Sequence, residues 1–328
     1  MKQTEQKLTI RQKFFGDKAF YKMILAIAIP IMIQNGITNF VSLLDNIMIG
    51  RIGTEQMSGV AIVNQLLFVY NLCLFGGVSG AGIFTAQYFG QKNHEGVRQT
   101  VRYKIWMVTI VTILTVLLFL MKGEDLIMLY LKGEGSAESI AATLLYGKQY
   151  LQIMLLGLPP FMIVQVYSST LRECGHTIVP MKAGIAAVCV NLVFNYLLIY
   201  GKFGFPVLGV QGAAIATILS RYVEVAIILI YTHRHSSEHP FAKGLYRTLK
   251  VPGALLTKIL IKGTPLLVNE TLWAAGMAIL AQCYSVRGLN VVAAQNISNT
   301  INNVFNIVFI ALGDSVAIVV GQLLGAGK

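Results

Sequence analysis

The sequence predicts an all-α membrane protein of about eight transmembrane helices, one complete six-helix lobe plus the first two helices of a second, parallel-repeat lobe. Three observations carry this. Hydrophobic residues occupy 55% of the 328 positions and charged residues only 12%, whereas soluble domains carry roughly a quarter charged residues. Mean hydropathy is +0.66. The charges gather in short clusters between apolar runs, several of which reach the ~20 residues needed to cross a hydrocarbon core of ~30 Å.

The apolar segments run over 23–49, 57–86, 101–121, 146–171, 178–200, 208–232, 258–285 and 291–324. They divide the chain into an amino-terminal tail (1–22), a first six-helix lobe (23–232), an inter-lobe linker (233–257) and the opening two helices of a second lobe (258–328). The second and eighth segments exceed the length of a span and are expected to run out into the loops. Pro30 and Pro265 fall early in the first and seventh, where each deletes one backbone hydrogen bond and predicts a kink.

Basic residues set the orientation. The amino-terminal tail, the even-numbered connections and Lys328 together hold nineteen Lys and Arg, and the opposite side holds six. The tail and linker are therefore expected in the cytoplasm, with the chain multi-pass in the plasma (inner) membrane. The net charge of +12 belongs to this pattern. Nucleic-acid binders instead concentrate cations on one soluble face, so no nucleic-acid partner is expected. His233, His235 and His239 cluster in the linker, which reads as a flexible, solvated segment without the fixed geometry of a metal site. Cys73, Cys174, Cys189 and Cys283 form no paired motif and read as buried apolar side chains.

Sliding the chain along itself by 235 residues exposes a repeat. Pro30 meets Pro265, Gly53 meets Gly288, Asn64 meets Asn299, Asn71 meets Asn306, and Gln87 and Gly90 meet Gln322 and Gly325. There are nine identities over 64 ungapped positions, few in number but placed on the helix-kinking Pro, the loop Gly and the Gln-x-x-Gly exit. Six spans separate the copies, so both enter from one side. Such repeats build transporters with a site between two lobes.

Carboxylates inside spans mark cavities, bound cations or proton transfer. Asp45 lies in the outer half of the first segment, where hydration by headgroups is the competing reading. Glu270 lies eight residues past Lys262, ~12 Å along the seventh helix. Asp314, in the eighth, is read equally as a helix contact or a functional group. Arg221 and Glu224, three apart, share a face and are expected to pair. Asparagines recur inside the spans, Asn35 among them. Asn191 and Asn195, four apart on the fifth, present two amides on one face that would suit a hydrophilic pocket. No phosphate-cradling loop, metal-ligand spacing or nucleophile arrangement is present, so no enzyme activity, metal centre or cofactor is expected.

The runs IPIMIQNGITNFVSLLDNIMIGRIG (29–53), LRECGHTIVPM (171–181), NLVFNYLLIYGKFGFPVLGVQGAAIAT (191–217), GTPLLVNETLW (263–273) and VGQLLGAGK (320–328) resemble, in order, the MATE (multidrug and toxic compound extrusion) family of secondary transporters. The resemblance implies twelve helices in two lobes working by alternating access, exporting organic, often cationic, drugs in exchange for Na⁺ or H⁺. It implies coupling-ion or substrate roles for Asp45 and Glu270, with Asn191 matching an amide of the polar cluster and Na⁺ possible at Glu270. Asn195 stands where some members have Asp, which favours coupling through Glu270. The chain reads as an amino-terminal portion with a small-molecule substrate, the lipid bilayer as its surroundings and no obligate protein partner. A flippase for lipid-linked saccharides is the alternative. It would want several cations lining the cavity, and only Arg221 is clearly intramembrane.

Overall fold

A computed structural model describes residues 16–131, 136–285 and 289–327, with side-chain placement left undescribed at 267, 271, 274, 275, 278, 281, 282, 284, 285, 289–297, 299 and 300. Among the described residues all regular structure is helical. Helix α1 (Lys18–Gly50) starts where the Asp17 carboxylate accepts a hydrogen bond from the Phe20 amide at 2.7 Å, which satisfies one of the amides orphaned at a helix start. A short turn at Arg51–Gly53 leads to α2 (Thr54–Gly90), and Asn93, whose side chain accepts from the Gly96 amide, precedes α3 (His94–Leu131). Helix α4 (Ala137–Met154) passes through one 3₁₀ turn into α5 (Leu158–Glu173). Helix α6 (Ile178–Tyr200) ends at Gly201, whose φ of +64° is the left-handed cap that favours glycine. Helices α7 (Val210–Arg234), α8 (Gly253–Ser285) and α9 (Leu289–Gly325) complete the chain. Pro30 and Pro265 lie inside α1 and α8, each a single continuous helix.

Seven helical runs among the described residues are long and apolar enough to cross a membrane: α1, α2, α3, α4 with α5, α6, α7, and the Ile301–Gly325 part of α9. The seventh segment of the sequence reading falls on α8, part of which lies outside the residues whose side chains are described. Helices α2 and α3 have 37 and 38 residues, so at 1.5 Å per residue each extends ~55 Å. That exceeds the ~30 Å hydrocarbon core, and their polar ends project beyond it.

The main core joins α2, α3, α4, α5, α6 and α7 through residues such as Leu74, Val101, Ile127, Leu171, Ile199 and Ile228. Ile24, Ile27 and Ile31 of α1 pack on Ala311, Ile318 and Val319 of α9. Leu255 and Ile259 of α8 pack on Ala81 of α2. Where α2 meets α8, Gly80 faces Gly263 backbone to backbone. Small residues allow that close approach, as membrane helix pairs require. Cys174 is buried, whereas Cys73, Cys189 and Cys283 are exposed. The sequence expectation of burial fails for these three, since apolar side chains in a bilayer can point outward to lipid.

The linker between α7 and α8 also departs from expectation. It is ordered, with 3₁₀ turns at Pro240–Ala242 and Leu245–Arg247, and it is docked on α3. Phe241, Ala242 and Leu245 are buried. Arg98 donates to the carbonyls of Pro240 and Phe241, and Arg102 to those of Gly244 and Leu245. The loop carbonyls thus find cationic donors on the neighbouring helix α3. His239 is only 1% exposed, lies edge-on to His176 at 4.5 Å between ring centroids, and has neither ring nitrogen partnered among the described atoms.

This predicts a pH dependence. Burial and then the neighbouring His176 lower the His239 pKa to about 4, against the opposing pull of Glu238, with His235 adding to the depression. Burial also lowers that of His176, again against Glu238. The docked linker then binds fewer protons than the undocked one between pH 6.5 and 4. Docking is complete above the ordinary imidazole value and weakens as pH falls through that window. Amide exchange across residues 235–250, corrected for intrinsic rates, is expected to speed up between pH 7 and pH 5. His239→Phe should remove most of that change. An acid-sensitive His239→Phe linker would rule out the assignment.

Candidate functional site

The sequence of α1 places Asp45 one and a half turns before its end, and the fold sets α6 against it. Asn195 donates from Nδ2 to Asp45 Oδ1 at 2.6 Å, and to Asn191 Oδ1 at 3.1 Å. Asn191 in turn reaches Thr217 Oγ1 of α7 at 3.3 Å. Asn191 and Asn195 are 6% and 1% exposed while Asp45 is half-buried. The i, i+4 amide pair read from the sequence is therefore the wall that a carboxylate of a neighbouring helix faces.

The Asn191 amide has two chemically distinct settings. Rotated by half a turn, its nitrogen lies 3.1 Å from both carboxylate oxygens of Asp45, and an ionised carboxylate is then met by N–H groups from both asparagines. Unrotated, its oxygen occupies that place, and two acceptors face each other unless Asp45 carries a proton to donate.

Glu270 stands half-buried on α8, and none of the described hydrogen bonds of the Asp45 cluster involves it. Asn35 lies on α1, where its carbonyl accepts from Asn39, away from this cluster. Arg221 and Glu224 pair at 2.8 Å as their spacing implies, and the guanidinium also lies 5.1 Å from the centre of the Phe161 ring.

A second polar centre has no counterpart in the sequence reading. Lys104 is fully buried in α3, and its Nζ donates to Glu173 Oε2 at 2.5 Å and Ser169 Oγ at 3.1 Å. Gln322 of α9 donates to the Glu173 carbonyl at 2.7 Å. Arg172 donates to Gln34 of α1 at 2.6 Å, and Asp314 of α9 forms no ion pair with it among the described residues. Helices α1, α3, α5 and α9 are thereby joined at one end. Lys104 and Glu173 lie in separate segments of the sequence, and their pairing across 69 residues is tertiary.

The family model described as MatE matches residues 30–197. The chain is 32% identical over 314 residues to the probable multidrug resistance protein NorM of Thermotoga maritima, covering 94% of this chain and 64% of that one. It is 25% identical over 327 residues to the probable multidrug resistance protein YoeA of Bacillus subtilis, covering 99% and 69%. The chain thus spans about 64% of the length of the Thermotoga relative. Among solved structures, an outward-facing multidrug resistance MATE family transporter of the MOP superfamily superposes with a TM-score of 0.80 at 20% identity, over 93% of this chain and 65% of that one. A MOP superfamily transporter from Pyrococcus furiosus superposes with a TM-score of 0.79 at 21% identity, over 98% and 68%. At these identities the superpositions show a shared fold.

Proposed function

The chain belongs to the MatE family, and on that premise we propose that it forms the amino-terminal part of a secondary transporter that exports organic, cationic drugs by antiport with Na⁺ or H⁺. Residues 23–232 form its first six-span lobe, 258–328 the first two helices of a second lobe, and 233–257 the linker between them. The amino terminus and the linker face the cytoplasm of a cell whose plasma (inner) membrane the chain spans. Probable multidrug resistance proteins among the relatives support the substrate class.

The observation that carries the reading is Asp45, a membrane carboxylate held by Asn195 and within reach of the Asn191 amide. A carboxylate in a bilayer is costly and persists where it has a function. Here it can hold a proton or a cation. One group that serves the coupling ion and the cationic substrate in turn links their binding with opposite sign, and that linkage is antiport. Glu270 plays the corresponding part on α8, where Na⁺ would bind. Asn35 and Asp314 are secondary.

Expressed in a host lacking its own drug pumps, the full-length transporter to which this chain contributes is expected to raise tolerance to cationic dyes several-fold. Asp45→Asn and Glu270→Gln should each return tolerance to the vector level with membrane expression unchanged. Normal export by the Asp45→Asn protein would reduce Asp45 to an interfacial carboxylate.

A further inference from the structure

We propose that the cleft between the start of α3 and the docked linker binds the phosphate headgroup of an anionic membrane lipid. The cleft is a cavity of about 690 Å³ lined by Glu95, Arg98, Arg102, Lys243, Gly244, Arg247 and Thr248. Four cations face one carboxylate, and Glu95 is already engaged by both Arg98 and Arg102. Each of these arginines spends three of its five N–H groups on Glu95 and the linker carbonyls, which leaves two apiece for a ligand. Lys243 and Arg247 are exposed at the mouth, and neither is in an ion pair among the described residues. An oxyanion that accepts from several donors at once suits this arrangement.

The line of α3 identifies the source of that anion. Arg98, Arg102, Trp106, Ile110, Ile113 and Leu117 follow one another at steps of three or four and share a face. Trp106 is 47% exposed and Ile110, Ile113 and Leu117 at least 50%. The indole Nε1 donates to the Leu249 carbonyl at 2.9 Å, fixing the ring below the linker, and such rings sit at headgroup level. Arg102 stands ~6 Å above Trp106 along the helix axis, and the apolar stripe begins one turn below. A phosphate in the cleft therefore has acyl-chain positions directly beneath it, which a free phosphate would leave unused. Basic pockets on the side of a membrane protein richer in Lys and Arg take anionic headgroups in this way. The site is separate from Asp45 and Glu270 and stands whether or not the transport reading does.

The full chain carrying Trp273→Phe, so that Trp106 is the single fluorophore of its kind, is reconstituted in vesicles containing brominated phosphatidylglycerol or brominated phosphatidylcholine. Phosphatidylglycerol is expected to quench Trp106 at severalfold lower mole fraction, and that preference should shrink as salt rises. Lys243→Gln with Arg247→Gln should reduce it by about fivefold or more, the factor expected for one cation near an anionic surface. Excess inorganic phosphate should leave it intact. Equal quenching by the two lipids, a salt-independent preference, or a preference unchanged in the double variant would overturn the proposal. Abolition by inorganic phosphate would assign the cleft to the free ion and reject the lipid.

Discussion

Lys104→Met is expected to destabilise the folded chain by about 3–5 kcal/mol, the range for removing one partner of a buried ion pair. Lys104 is 0% exposed and the Glu173 side chain 11%, with Nζ and Oε2 2.5 Å apart. The ammonium is also tied to Ser169, so its loss strips a buried carboxylate of its principal counter-charge and an α5 hydroxyl of its donor. By contrast Lys122 and Asp125, 62% and 67% exposed at 2.9 Å, exchange their pairing for hydration. Breaking that pair should cost less than about 1 kcal/mol. Burial, at nearly equal separation, decides between the two. Lys104→Met combined with Glu173→Met should recover most of the stability, because two apolar side chains need no counter-charge. Thermal unfolding of detergent-solubilised protein, followed by size-exclusion recovery, reads all three variants. A Lys104→Met protein as stable as the parent would mean that water reaches Glu173.

Gly90→Ala and Gly325→Ala should each cost about 2 kcal/mol. A Cβ on Gly90 would fall on the Gln322 carbonyl, and one on Gly325 on the Gln87 carbonyl. These obstacles are backbone, so no change of rotamer relieves them. The α2–α9 crossing must open, at about 3 kcal/mol for an overpacked contact, and would strain the Gln322 hydrogen bond to the Glu173 carbonyl. The better helix propensity of alanine returns up to about 1 kcal/mol. Gly253→Ala, where nothing lies within 4 Å, should cost nothing. The same unfolding measurement checks the set, and a crossing indifferent to both alanines would show it to be loosely packed.

The two glycines have a further meaning. Gly90 and Gly325, with Gln87 and Gln322, are the pairs brought into register by the 235-residue shift, and Ala86 and Gly321, equivalent by the same shift, also touch. Each repeat copy meets its own equivalent, as two elements related by a two-fold axis must. This supports the proposed parallel repeat more strongly than its nine identities do. The equal losses expected at Gly90 and Gly325 follow from that symmetry.

Much of the candidate site was legible because it obeys helical spacing. Asn191 and Asn195 share a face by being four apart, and Arg221 and Glu224 pair by being three apart, so a one-dimensional pattern contains the contact. The partners of Asp45 were not legible in the same way, since 150 residues separate it from Asn195. The linker misled for a related reason. Its polar, histidine-rich composition resembles a solvated loop, and the arginines that satisfy its carbonyls belong to α3, more than 140 residues earlier.

Composition, hydropathy and local spacing determined by themselves that the chain is helical and membrane-spanning, and the order of its motifs placed it with its family. Those properties come from the bilayer acting on each segment separately, because every spanning backbone must close its own hydrogen bonds. Tertiary structure alone decided which groups meet: Asp45 with Asn195 of α6, Lys104 with Glu173, the linker with Arg98 and Arg102, and Gly90 with Gln322. Each of these contacts joins residues distant along the chain. In an apolar surrounding a polar group must find such a partner, but its own neighbourhood in the sequence does not say which.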